Sequence, residues 1–185
     1  MKIARRLLLL TAVAMCSLFA GPALADHLTT AQQNTLRTAI LAEPALAQAV
    51  AIRNDPAIAD YCNTATAQKA WKTSYGAMDL FNATDINVYI ARSVAERQAF
   101  DLLIQVGTVD PSTTSIRTGV VNIFSGAGGS TQRAAILNDM TRFATWAEQK
   151  LGGTNATTDT VTAWKLNYSG SITVSHVSSI LNAGN

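Results

Sequence analysis

The chain has 185 residues, with 14 Lys and Arg against 12 Asp and Glu, a formal charge of +2 and a pI near 8.7. Lys2, Arg5 and Arg6 contribute to that excess from the first few positions, so the remainder is close to neutral and carries no basic signature of nucleic-acid binding. With two cysteines, Cys16 and Cys62, the chain has too few thiolates for a cysteine-based metal site, and its length fits one domain with its own core.

Residues 1–25 read as an export signal. A basic start is followed by an apolar run over 7–20, interrupted only by Thr11 and Ser17. Ala23 and Ala25 then set small side chains at the −3 and −1 positions of a cleavage site before Asp26. The run is too short for a stable membrane span. Cys16 follows Met15 rather than a small residue, which disfavours lipidation. Cleavage between Ala25 and Asp26 leaves a domain over 26–185, slightly acidic, placed in the periplasm or secreted, with Cys62 as its single thiol.

The spacing predicts a helix from Leu28 to about Ala42, with a capping box at Thr30 and Gln33 and an inward face of Leu36, Ile40 and Leu41. Glu43-Pro44 interrupts it, and Leu46, Val50 and Ile52 continue an apolar stripe. Asn54-Asp55-Pro56 opens a short helix carrying Ile58, Tyr61 and Cys62. The stretch 63–87 reads as an irregular connection anchored by Trp71. Ser93 and Glu96 form a capping box feeding Phe100, Leu103, Ile104 and Val106, with Gly107 as the stop. Asp110-Pro111 starts a helix through Ile116, Val120, Ile123 and Phe124. After the turn 125–129, one long helix is expected from Ser130 to about Leu151, through Ile136, Leu137, Met140, Phe143, Ala144 and Ala147. Gly152-Gly153 ends it. An extended element over 161–168 follows, and Thr173 caps a last helix with Val174, Val177, Ile180 and Leu181 inward. The fold class is therefore mainly α: a compact multi-helix domain with a minor extended element near the C-terminus. Trp71, Phe100, Phe124, Phe143 and Trp146 are its expected core aromatics.

No constellation carries chemistry. His27 lies beside the expected new N-terminus. His176 has serines around it (Ser175, Ser178, Ser179) but no nucleophile-elbow context, and reads as a surface or capping residue. The glycine turn 125–129 lacks the lysine of a P-loop and follows no strand. Asp79, Asp85, Asp101, Asp110, Asp139 and Glu148 are spread singly. Arg117, Arg133, Arg142 and Lys150 read as a solvated face or as ion-pair partners, and Trp71, Trp146 and Trp164 as anchors between elements. Sequons at Asn82, Asn155 and Asn167 mark loops. The expectation is no enzyme, no cofactor, no metal, no nucleic-acid partner and no membrane attachment after signal cleavage.

Five stretches carry a resemblance: Trp71-Lys72-Thr73; residues 92–98 leading into Phe100; Asp110-Pro111-Ser112 with Ile116-Arg117-Thr118-Gly119; residues 142–151; and Tyr168-Ser169-Gly170-Ser171-Ile172-Thr173 before a short helix. In this order and spacing the chain resembles a family of small uncharacterised proteins of tailed bacteriophages and prophages, over roughly 28–181. The resemblance implies a structural or accessory role in the virion or tail, through a protein partner or self-association, with no enzymatic residues to transfer. The export signal departs from that pattern, because virion parts assemble in the cytoplasm. The domain is either a captured one working outside the cytoplasm, or it is translated from a later start. A later start must be a non-standard codon near Leu28, since Met78 is the next methionine after Met15. The alternative reading is an exported module binding a small molecule or a protein, with a tryptophan-walled pocket.

Overall fold

Side-chain caps set the helix starts. In the computed structural model, which describes residues 28–183, Thr29 and Gln32 form a capping box at the head of α1 (Thr30–Ala42), one residue ahead of the expected pair. Pro44 opens a short 3-10 turn that leads into α2 (Ala47–Ala51). Asn54 accepts the Ala57 N–H at the start of α3 (Asp55–Cys62), as its Asn-Asp-Pro sequence predicts. The expected signal and the Ala25–Asp26 cleavage site lie outside the described residues.

The chain then departs from the helical expectation. Residues read as an irregular connection form β1 (Ala65–Trp71), β2 (Tyr75–Gly76) and α4 (Ala77–Asn82), followed by α5 (Ile86–Ile90). The Ser93 and Glu96 box caps α6 (Val94–Gln105), and Gly107, at φ +80°, ends it as expected. β3 (Thr108–Val109) pairs with β2. Asp110 does not cap a helix directly. Its carboxylate accepts the Ser112 N–H, and the turn delivers the chain to α7 (Thr114–Ile123).

The expected long helix is three elements: α8 (Gly129–Asp139), β4 (Thr141–Thr145) and α9 (Trp146–Leu151). Thr141, Phe143 and Thr145 favour an extended backbone. Thr145 also forms a capping box with Glu148, which starts a new helix inside the apolar run. Gly152, at φ +79°, closes α9 and leads into β5 (Gly153–Thr158), β6 (Val161–Leu166) and α10 (Val174–Asn182).

The expectation of a mainly α domain with one minor C-terminal strand is thus overturned. A four-stranded mixed sheet in the order β4-β1-β6-β5 lies at the centre of an α/β arrangement. β1 is antiparallel to β4 and parallel to β6, and β5 and β6 form a hairpin. Two apolar cores result. One gathers both ends of the described chain: Leu36 and Ile40 of α1, Ile58 and Cys62 of α3, Trp146 and Ala147 of α9, Val177 and Ile180 of α10. The other joins Trp71, Val161 and Ala163 of the sheet to Phe100, Val120, Phe124 and Ile136 of the middle helices.

Four of the five expected core aromatics are buried. Phe143 is 54% exposed, because in β4 it pairs with Lys69 at the margin of the sheet face. Val174, Leu41, Ile52 and Val106 are likewise exposed rather than inward.

Candidate functional site

The described residues weighed for chemistry are engaged in holding the fold, and His27 lies outside the described residues. The His176 Nδ1 accepts the Thr173 N–H while its own N–H donates to Thr173 Oγ1, so it completes the cap of α10. The glycine turn joins α7 to α8, as its sequence suggests. A Cβ at Gly129 would lie 2.2 Å from the Phe124 carbonyl oxygen, so only glycine fits there. The buried Arg92 donates from Nη2 to Ala127 O (2.5 Å) and from Nε to Val88 O (3.2 Å), tying α5 to that turn.

The basic residues do not form a stripe. Arg117 is buried and donates to Pro111 O, Ser112 O, Thr114 Oγ1 and Thr158 Oγ1, with its guanidinium 4.9 Å from the Trp71 ring centroid. Burial lowers its pKa from the ordinary arginine value, with nearby Asp110 opposing. Arg133 pairs with Asp159 through two bonds, at 2.9 and 3.1 Å. Arg142 lies on β4, not on a shared helix with Lys150, and is clamped to Glu148. Lys150 lies over Trp146. Among the described residues no group of His, Cys, Asp and Glu is arranged to hold a metal ion, and no helix is long and apolar enough to cross a membrane.

What stands out is an apolar surface that the sequence reading missed. Most of the exposed large apolar side chains among the described residues fall within 78–106: Met78, Phe81, Ile86, Ile90, Val94, Leu102 and Val106 are each between 52% and 68% exposed. They lie on α4, α5 and α6 or just beyond. Elsewhere such residues are scattered (Leu41, Ile52, Phe143, Val174). A concentration of exposed large apolar side chains commonly marks an interaction site.

Two hollows flank α6. The first, about 420 Å³, is lined by Phe81, Ile86, Tyr89, Phe100, Asp101 and Ile104. The second, about 480 Å³, lies between α6 and α7 and is lined by Ala99, Leu102, Leu103, Gly119, Asn122 and Ile123. No tryptophan lines either. Trp71 and Trp146 are buried in the cores, and Trp164 is half-buried in β6.

The face is held from beneath. Gln132 of α8 accepts the Asp85 N–H (2.8 Å) and donates to Ala83 O (2.5 Å), fixing the α4–α5 bend. Tyr89, Phe100 and Phe124 step inward with centroid separations of 5.3 and 6.0 Å. The Tyr89 hydroxyl donates to Asp101 Oδ1 (2.9 Å), and this bond, with partial desolvation, raises its pKa from the phenol value.

The charges on this segment are Asp79, Asp85, Glu96 and Asp101 against Arg92 and Arg97. Since Arg92 is buried, the exposed balance is acidic. Hydrogen bonds from Ser93 lower the Glu96 pKa below its ordinary value and keep that charge in place. The signal available in the sequence was the distribution of apolar residues around α6: Val94, Phe100, Leu102, Leu103, Ile104 and Val106 cannot all face one core. No family model matches the chain, and neither a curated protein nor a solved structure matches it.

Proposed function

We propose that the protein is a non-enzymatic structural or accessory protein of the phage virion or tail-region type, acting through protein–protein contacts made by the α4–α6 face. The observation that carries this reading is the concentration of exposed apolar side chains over 78–106 beside two apolar hollows. The net acidic charge of this segment favours a partner that presents basic residues beside its apolar contact, so that association is faster at low salt. The resemblance to phage proteins supports the particle role, and the leader-like segment 1–25 supports action outside the cytoplasm.

The test is direct binding of the purified protein to the products of the genes flanking its own. Leu102→Glu and Val106→Glu, both exposed changes that leave the cores intact, should each weaken the complex at least about tenfold, as expected for charges placed in a desolvated contact. A complex indifferent to both changes, or no complex with any of these products, would refute the assignment of the face.

The first hollow favours a second reading, an exported small-molecule-binding module, because its volume is in the range of small-ligand sites and the Tyr89–Asp101 pair provides polar anchors. On that reading, Phe81→Ala and Tyr89→Phe alter binding of a small apolar alcohol or phenol, and Val106→Glu does not.

A further inference from the structure

In the first hollow the polar side chains have already spent their hydrogens. Tyr89 and Thr84 both line it, and each commits its hydroxyl hydrogen to the fold: Tyr89 donates to Asp101 Oδ1 (2.9 Å) and Thr84 to Leu80 O (2.7 Å). What these two hydroxyls offer a guest is therefore lone pairs. Asp101 adds a carboxylate to the same lining, and among the described residues its Oδ2 takes no hydrogen bond and its charge no ion pair. Of the lining side chains, only the Asn82 amide keeps hydrogens to donate.

The remaining walls are apolar and largely aromatic. The rings of Phe81, Tyr89 and Phe100 border the space, with the Tyr89 and Phe100 centroids 5.3 Å apart. No basic side chain lines it. Arg97, one turn before Asp101 on α6, donates instead to Ile90 O (3.2 Å). Aromatic rings hold cations through the negative charge of their faces and hold apolar bodies by burial. An anion entering here meets Asp101 with like charge. A neutral alcohol brings a single donor to a lining of acceptors, whereas an ammonium head brings up to three donors and a complementary charge.

We infer that the first hollow is a binding site for a small organic ammonium ion, its charged head at Asp101 and its apolar body among the rings of Phe81, Tyr89 and Phe100. The inference rests on the small-molecule reading of this hollow and names its ligand class; it does not depend on a protein partner at the α4–α6 face. A lysine side chain carries the same head, but its single unbranched stem leaves much of a 420 Å³ space and its rings bare. A free amine with a ring as its body fills that space better.

Calorimetric titration of the whole protein near neutral pH, with one phenylethyl body and three different heads, tests the inference. Phenethylammonium should bind at least about fivefold more tightly than phenethyl alcohol, and phenylpropionate more weakly than either. This series needs only the wild-type chain. Asp101→Asn keeps an acceptor for Tyr89 and should erase the preference for the ammonium while the alcohol binds as it does to the wild type, with circular dichroism showing the variant folded. Nα-acetyl-lysine amide should bind at least about fivefold more weakly than phenethylammonium. An alcohol that binds as tightly as the ammonium, or a preference that survives Asp101→Asn, would overturn the inference and leave the small-molecule reading standing. An acetyl-lysine amide as tight as phenethylammonium would give the hollow to a partner's lysine and overturn the inference. Binding of none of the three phenylethyl compounds would overturn both the inference and the reading beneath it.

Discussion

Replacing Glu148 by glutamine removes one charge and almost no volume from the joint between β4 and α9. The Glu148 side chain is 1% exposed. One oxygen accepts Arg142 Nη1 (2.7 Å) and the Thr145 N–H (2.8 Å), and the other accepts Arg142 Nη2 (2.6 Å) and the Gly170 N–H (3.2 Å). Whichever way the amide of Glu148→Gln turns, its NH₂ group faces two of these donors, one from Arg142 and one from the backbone. Breaking a buried pair from one side costs about 3–5 kcal/mol. Arg142 is 32% exposed and regains some water, so the lower end, about 3 kcal/mol, is expected. That is a large share of a total stability of roughly 5–15 kcal/mol.

The effect also depends on pH. Burial raises the Glu148 pKa, but the bonds from Arg142, Thr145 and Gly170 outweigh it and hold the folded value below the ordinary 4.5. The stabilisation is therefore complete above the unfolded value and is lost as the pH falls through the folded one. Urea unfolding of both proteins should show the full gap near neutrality and a narrowing gap below about pH 4.5. A gap under about 1 kcal/mol at neutrality, or one that stays constant into acid, would refute the reasoning.

Truncating Phe100, 3% exposed against Phe124 and Tyr89, should cost about 3–5 kcal/mol, whereas Phe143→Ala should stay within about 1 kcal/mol; chemical denaturation of the pair decides it. Burial pushes the Cys62 thiol from 9.0 up to about 12, so a thiol-alkylating reagent at mildly alkaline pH should label the native protein only as fast as the fold opens, and the unfolded chain at once. Because the folded pKa is raised, the Cys62 contribution to stability is fully present below the unfolded value and declines as the pH climbs from 9.0 toward 12, a decline that Cys62→Ala should abolish in alkaline unfolding curves.

The parts of the fold legible in the sequence were those fixed by local chemistry. Asn54 with Pro56, Ser93 with Glu96, and Thr173 cap their helices where their spacing indicated, and Gly107 and Gly152 stop theirs. The sheet was hidden for a physical reason particular to each strand. β1 is Ala-rich, with Gln68 and Lys69 also poor strand formers, and acquires its strand character from the partners on both sides. β4 sits within a run whose apolar spacing also suits a helix, and the break shows only in the extended preference of Thr141, Phe143 and Thr145 and in the Thr145–Glu148 cap. β5 is rich in Thr, Asn and Gly and reads as a loop. The α4–α6 face was hidden because periodicity identifies apolar residues without revealing which of them a neighbouring element covers.

The order of the sheet also decides when this chain can fold. β1 is made early, yet its antiparallel neighbour begins at Thr141, and its parallel neighbour is reached only at the Ala70↔Trp164 pairing. The first three helices wait equally long, for Val177 and Ile180 to close their core. Long loops must therefore be closed before either core rewards the loss of chain freedom, which makes folding slow and late. A chain cut before Val161 strands β1 without its central partner and leaves Ile58, Cys62 and Trp71 bare, so shortened forms should aggregate rather than persist as a stable half.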